Sequence, residues 1–165
     1  EDVTAVTVER LRIEHERDYD ALTGLYNRRA FQRELEKLFQ RPEKLGHAAF
    51  LMLDMDNLKK TNDTYGHDWG DDYIRTAGRC FGAHAPKSSL CSRISGDEFN
   101  LFFYGYESQD AIREAFGELK AQLEKQVIIL PNGRKMALSI SGGVSWYPEN
   151  STDPAELKKY ADLAM

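Results

Sequence analysis

The apolar run Ala48-Ala49-Phe50-Leu51-Met52-Leu53, closed by Gly46 on one side and Asp54 on the other, restricts the fold more than any other segment. A short run without polar alternation reads as a central strand buried on both faces. Further strands come in pairs. Leu90 to Ile94 is short and largely apolar, and Phe99 to Tyr104 is rich in aromatics, so both prefer extended structure on either side of a tight turn at Ser95-Gly96. Val127 to Leu130 and Lys135 to Ser145 flank Pro131-Asn132-Gly133-Arg134, and Asn-Gly between apolar runs is a strong hairpin signal.

The remaining segments have helical character. Ala30, Phe31, Leu35, Leu38 and Phe39 follow helical spacing up to Arg41-Pro42, where proline stops the helix by removing a donor and restricting its predecessor. Asp71 to Phe81 forms another helix after the breaks at Gly66 and Gly70. Ser108 to Lys125 is amphipathic, with Ser108 as N-cap. Asp153-Pro154-Ala155-Glu156 opens the last helix with an acid at the N-cap, proline at the first position and a glutamate placed for a capping box. Val3 to Asp18 favours helix but carries only the weak stripe Val3, Val6, Leu11 and Ile13, without regular heptads. It reads equally as a surface linker or as the end of a signalling helix that pairs with a second copy. The expected fold is α/β of the α+β kind, with a largely antiparallel central sheet flanked by helices.

Composition narrows the function. With 165 residues, 41% hydrophobic and 30% charged, the chain suits one domain with a real core. A net charge of −5 argues against non-specific nucleic-acid binding, so a phosphate-bearing ligand needs a local site. Cys80 and Cys91 lack metal-ligand spacing and read as core packing in a reducing, cytoplasmic setting. No apolar run is long enough to cross a bilayer, and no direct membrane contact is expected of this domain. Glu1 stands where an initiator Met would, and Leu157 to Met165 stops in mid-pattern. The chain is therefore expected to be a piece of a longer protein with an upstream sensor domain.

Two acidic clusters carry the chemistry. Asp97 and Glu98 follow the Ser95-Gly96 turn, and Asp54-Met55-Asp56 ends the buried strand, where ligand sites on sheets gather. Carboxylates converging from a strand end and a hairpin tip suit a hard cation that also takes substrate phosphates. Taken alone, each cluster reads equally well as helix-capping or surface turn acids.

The run from Asp54 to Asp71, which includes Asn57-Leu58-Lys59, Asn62-Asp63 and Gly66-His67-Asp68-Trp69-Gly70-Asp71, resembles the signature of the GGDEF family of bacterial diguanylate cyclases. So does Ser95-Gly96-Asp97-Glu98-Phe99. Asp20 to Arg29 matches a third family motif, and Ala161 to Met165 looks like the start of a fourth. The resemblance covers the chain from about Asp18, which makes residues 1–18 an N-terminal helix or linker and 19–165 the domain, short of its C-terminal end. It implies a sheet related to the polymerase palm and class III nucleotide cyclases. It also implies condensation of two GTP into cyclic di-GMP across two domains, with Mg²⁺, or Mn²⁺, as cofactor.

Position by position, the resemblance makes Asp54, Asp97 and Glu98 catalytic and, with the Met55 carbonyl, metal-binding. Asn57 and Leu58 would cradle phosphates with helix-start amides, and Gly96, Lys59 and Lys159 would contact nucleotide. Asn62 and Asp71 would read the guanine edge, because a carboxylate facing the N1–H and N2–H₂ donors has no such pair on adenine. His67 reads as a turn residue, Asp20 with Arg28 as an ion pair closing the junction, and His15, His47 and His84 as surface or core residues.

Departures from the pattern supply the alternative, a catalytically inactive GTP-binding or signal-relay module. Ser95 stands where the family usually has glycine, and a positive φ there would cost about 1–2 kcal/mol. Leu58 replaces a common phenylalanine, a conservative apolar change. Pro86 and Ser89 occupy the Arg and Asp positions of the family's product-inhibition motif, so feedback at that site is expected to be absent. A mixed cyclic dinucleotide is disfavoured by the intact Asp71.

Overall fold

The expected central strand is β1, His47–Met55, and its side chains divide by parity between two cores. Ala49, Leu51, Leu53 and Met55 enter one cluster, and Ala48, Phe50 and Met52 enter the other. The computed structural model describes residues 3–165, with side chains from Thr4 onward. Glu1, Asp2 and the Val3 side chain of the expected N-terminal stripe lie outside the described residues.

Around β1 the chain runs α1 Val3–Asp18, α2 Arg28–Phe39, a 3₁₀ turn Pro42–Lys44, then β1, α3 Leu58–Tyr65, α4 His67–His84, β2 Ser89–Ser95 and β3 Glu98–Tyr106. It continues through α5 Gln109–Glu124, β4 Val127–Ile129, β5 Lys135–Ala137, β6 Ile140–Tyr147 and α6 Pro154–Leu163. The main sheet has the order β2-β3-β1-β6 and is antiparallel throughout. Buried residues of α4 and α5, among them Ile74, Phe81, Ile112 and Leu119, cover one face. Phe31 and Leu35 of α2 and Leu157 and Ala161 of α6 cover the other. This is the expected antiparallel sheet flanked by helices.

Two helix starts follow their local chemistry and a third departs from it. Asn27 and Ser108 accept from the N–H groups of Ala30 and Ala111, as N-caps do. Asp153 is the N-cap of α6 but makes no side-chain cap, and Glu156 instead accepts from the Ser151 hydroxyl. The expected capping box is absent because Ser151, two residues before the N-cap, competes for the glutamate.

The second correction concerns Lys135 to Ser145, expected as one strand. It breaks at Leu138-Ser139, so β4 and β5 form a separate two-stranded sheet while β6 joins β1. The cause lies in non-local partners: Leu138 N–H donates to the Gln126 carbonyl, and Ser139 N–H to the Tyr73 hydroxyl. Hydropathy cannot register such a break, since apolar residues continue through it.

The edge strand β2 is also covered. Tyr26 N–H donates to the Cys91 carbonyl and Arg93 N–H to the Tyr26 carbonyl, which docks the Asp20–Arg29 junction along an otherwise open edge. Phe50 is 1% exposed and meets Phe31 edge-on at 5.8 Å, tying α2 to the sheet. Phe50→Ala is expected to lower the unfolding free energy by about 3–5 kcal/mol, read as a lower urea midpoint with little change in slope.

Candidate functional site

Hydrophobic burial carries β1 beyond its apolar run, so the strand ends in Asp54 and Met55 rather than at Leu53. Asp54 is then paired across the ladder with Glu98 on β3 and with Ser141 on β6. Met55 is 2% exposed, and its N–H donates to the Asp97 carbonyl at 3.1 Å. The two acidic clusters are therefore joined through the backbone, with Asp54, Asp97 and Glu98 half-buried together.

Asp97 sits in a turn whose left-handed position is Gly96, at φ 47°. Ser95 is the last residue of β2 and does not have a positive φ; among the described residues only Asn57 does so without being glycine. The strain anticipated for serine at position 95 is absent, because the tight conformation falls one residue later. Arg93 braces the same turn: its Nε donates to the Gly96 carbonyl at 3.0 Å and its Nη1 to the Asp20 carboxylate at 3.2 Å. Asp20 therefore pairs with Arg93, not with Arg28 as expected, because β2 brings Arg93 under the junction.

On the other side of the site, Asn57 adopts the left-handed conformation at φ 63° and opens α3 without any side-chain cap. The first-turn amides of α3 are left for a ligand, where helix ends favour anions. A cleft of about 460 Å³ lies over this turn, lined by Met55, Asn57, Leu58, Lys59, Lys60, Asp63, Thr64 and Asp97. Five of the expected site residues thus share one cleft with Lys60, Asp63 and Thr64, which the sequence did not single out. A cavity of about 490 Å³ between α5 and β6 has no carboxylate on its wall, although Ser141 forms part of it.

Other expected residues do not line the cleft. Asn62 is half-buried in α3, Asp71 is exposed on α4, and Lys159 is exposed on α6, one turn before Asp162. Asp162, exposed near the end of α6, also adds its charge to those that bear on Asp54. Asp56 adds its charge to the acidic cluster, but its oxygens are engaged elsewhere. Its carboxylate accepts from the hydroxyls of Ser139 at 2.6 Å and Ser141 at 2.7 Å, while its main-chain N–H donates to the Ser139 carbonyl. The Tyr73 hydroxyl closes this knot by donating to the Asp56 carbonyl at 3.1 Å.

Burial raises the Asp54 pKa above its ordinary value, reinforced by the charges of Asp97, Glu98, Asp56 and Asp162. Such crowding of oxygens suits a hard divalent cation, which neutralises it. Among the described residues no three His, Cys, Asp or Glu side chains form a ready-made cage. Asp97 on the cleft wall and Asp54 beside it fit a small cation that takes one or two carboxylates and completes its shell with phosphate and water. At Pro86 and Ser89 the serine hydroxyl donates to the Pro86 carbonyl. Cys80 is buried, and burial pushes the Cys91 thiol up to about 12, as inert packing residues require. Among the described residues no helix is long and apolar enough to cross a membrane.

Comparison with known proteins agrees with this geometry. Residues 17–165 match the family model described as diguanylate cyclase, GGDEF domain. A sensory box/GGDEF family protein from Caulobacter crescentus superposes with a TM-score of 0.79 at 30% identity, covering 89% of this chain and 94% of that one. The coiled coil and GGDEF domain of DgcB from the same organism, solved in complex with c-di-GMP, gives 0.78 at 25% identity, over 98% of this chain and 87% of that one. The uncharacterized protein YhcK of Bacillus subtilis is 32% identical over 149 residues, 89% of this chain; the match spans only 41% of that relative's length.

The raised Asp54 pKa fixes the sign of a stability effect. As pH rises from the ordinary aspartate value, the unfolded chain releases its proton first, so the folded state loses stability until the folded pKa is passed, and the cost persists above it. Asp54→Asn is therefore expected to raise the thermal midpoint of the metal-free protein at pH 7, with the two proteins converging as pH falls toward about 4. Ser95→Gly is expected to leave stability unchanged or lower it by up to about 1 kcal/mol in urea titrations, since no left-handed strain is relieved and backbone entropy is added.

Proposed function

The chain belongs to the family of diguanylate cyclase GGDEF domains, and from that premise we propose that it is an active cyclase domain, condensing two GTP into cyclic di-GMP as a pair of domains with Mg²⁺. The observation that carries this reading is the single cleft in which Asp97, Met55 and the free first-turn amides at Asn57 and Leu58 meet, with Asp54 and Glu98 beside them.

The roles follow from the chemistry of each group. Amides at Asn57 and Leu58 hold the β- and γ-phosphates, with Lys59 at the cleft wall adding positive charge. Asp54 and Asp97, with the Met55 carbonyl, would hold the cation and Glu98 would support that site; when bound, the cation supplies Lewis-acid polarisation of the phosphate. Asn62 and Asp71 take the guanine edge, and Gly96 lets the hairpin tip approach the nucleotide without a side chain in the way. The 3′-hydroxyl of one nucleotide attacks the α-phosphate of the other and pyrophosphate leaves; a second such event closes the ring. Because one cleft presents one nucleotide, the reaction needs a second copy facing the first.

Features outside the cleft bear on this reading. Ser95 has no positive φ, so the strain anticipated from glycine's absence does not count against the active reading. Helix α1 meets the rest of the chain chiefly at α2 and leaves Val6, Val8, Leu11 and Ile13 at 47–59% exposure, spread around the helix rather than on one face. The whole protein would place this domain on the cytoplasmic side, under an upstream sensor.

Incubating the dimerised protein with GTP and Mg²⁺ tests the proposal. Cyclic di-GMP and pyrophosphate are expected, and Asp97→Ala is expected to lower turnover at least about a hundredfold while the protein still melts cooperatively. Measurable GTP binding without any cyclic di-GMP would return the domain to a relay role.

A further inference from the structure

Helices α3 and α4 are separated by Gly66 alone, whose φ of 96° turns the chain sharply. The turn lays the last part of α3 against the first part of α4, and Asn62 comes to rest on Gly70. A Cβ built on Gly70 would stand 2.7 Å from Asn62 Cγ and 2.8 Å from Asn62 Nδ2, and nearer still to Asn62 Oδ1. The whole amide thus occupies the space where every other residue type carries its side chain. Gly70 is buried within α4, and no left-handed conformation demands glycine there. Helix propensity argues against glycine at such a position, so the space it leaves is the reason for it. Asn62 Oδ1 is buried with no hydrogen-bond partner, which leaves packing on Gly70 to hold the amide.

We infer that Gly70 is a positioning residue for base selection: its missing side chain is the slot that seats the Asn62 amide beside Asp71, so that both address one guanine edge. This rests on the nucleotide reading of Asn62 and Asp71 given above. Selection by an amide and a carboxylate depends on both being fixed in place, because rejection of a wrong base comes from leaving a polar group unpaired. A methyl group at position 70 displaces the amide, whose short side chain starts from a backbone fixed inside α3. The phosphate end of the cleft, at the opposite end of α3, is untouched.

The test is a double-variant cycle on the full chain, using the α,β-methylene analogues of GTP and ATP so that binding is measured without turnover. Calorimetric affinities and thermal midpoints are compared for the parent, Gly70→Ala, Asn62→Ala and the double variant. Each single variant is expected to weaken the guanosine analogue about tenfold or more and to shrink its preference over the adenosine analogue. The double variant is expected to bind no more weakly than Asn62→Ala alone, within about twofold. If Gly70→Ala lowers the midpoint, the double variant is expected to restore it, because the colliding amide is gone. Parent-like guanosine binding by Gly70→Ala beside a weakened Asn62→Ala overturns the inference and leaves the base reading intact. Parent-like binding by Asn62→Ala overturns both. Additive losses, or a midpoint that the double variant does not restore, make Gly70 a structural residue only.

Discussion

The end of β1 is fixed from three directions, and the site depends on that fixation. Met55 N–H is held by the Asp97 carbonyl of the hairpin, Asp56 by Ser139 and Ser141 at the start of β6, and the Asp56 carbonyl by Tyr73 of α4. Immediately afterwards Asn57 must turn through the left-handed region to begin α3. A non-glycine residue holds that conformation only where its surroundings determine it, and here the preceding residues have no freedom to relax. The same bonds that stop β1 therefore aim the amides of α3 at the cleft.

Against this rigid frame stands an electrostatic cost that the frame itself creates. Pairing β1 with β3 sets Asp54 opposite Glu98, and the hairpin adds Asp97, so like charges are gathered where burial already disfavours ionisation. Asp56 escapes the conflict through two serine hydroxyls, but no hydrogen bond relieves Asp54 to the same degree. A purely structural strand end would not be built this way. Local instability of this kind is what a binding site retains when its missing charge arrives with the ligand.

Much of the architecture was legible because hydrophobic order decides it. Ala48 to Leu53 specified a doubly buried strand, the aromatic run after Phe99 specified its neighbour, and the acids between were correctly placed at the turn. What failed was pairing between polar groups far apart in sequence. Asp56 looks equivalent to Asp54 until Ser139 and Ser141, 83 and 85 residues later, claim its oxygens. Asp20 seemed matched to Arg28 nearby, yet the registry of β2 gives it Arg93, 73 residues away. The charge of Asp162 bears on Asp54 because α6 packs on the sheet through Leu157 and Ala161, a placement that no acidic pattern announces.

Arg93 links two parts of the molecule that the sequence treats as separate. One guanidinium serves the Gly96 carbonyl at the hairpin tip and the Asp20 carboxylate at the end of the junction below α1, and both Arg93 and Asp20 side chains are under one-fifth exposed. Thr23 also donates to Asp20 from its N–H and its hydroxyl, so the carboxylate is itself held in place. A half-buried charge with two fixed partners cannot follow one without straining its bond to the other. The junction and the tip that carries Asp97 are therefore one mechanical unit.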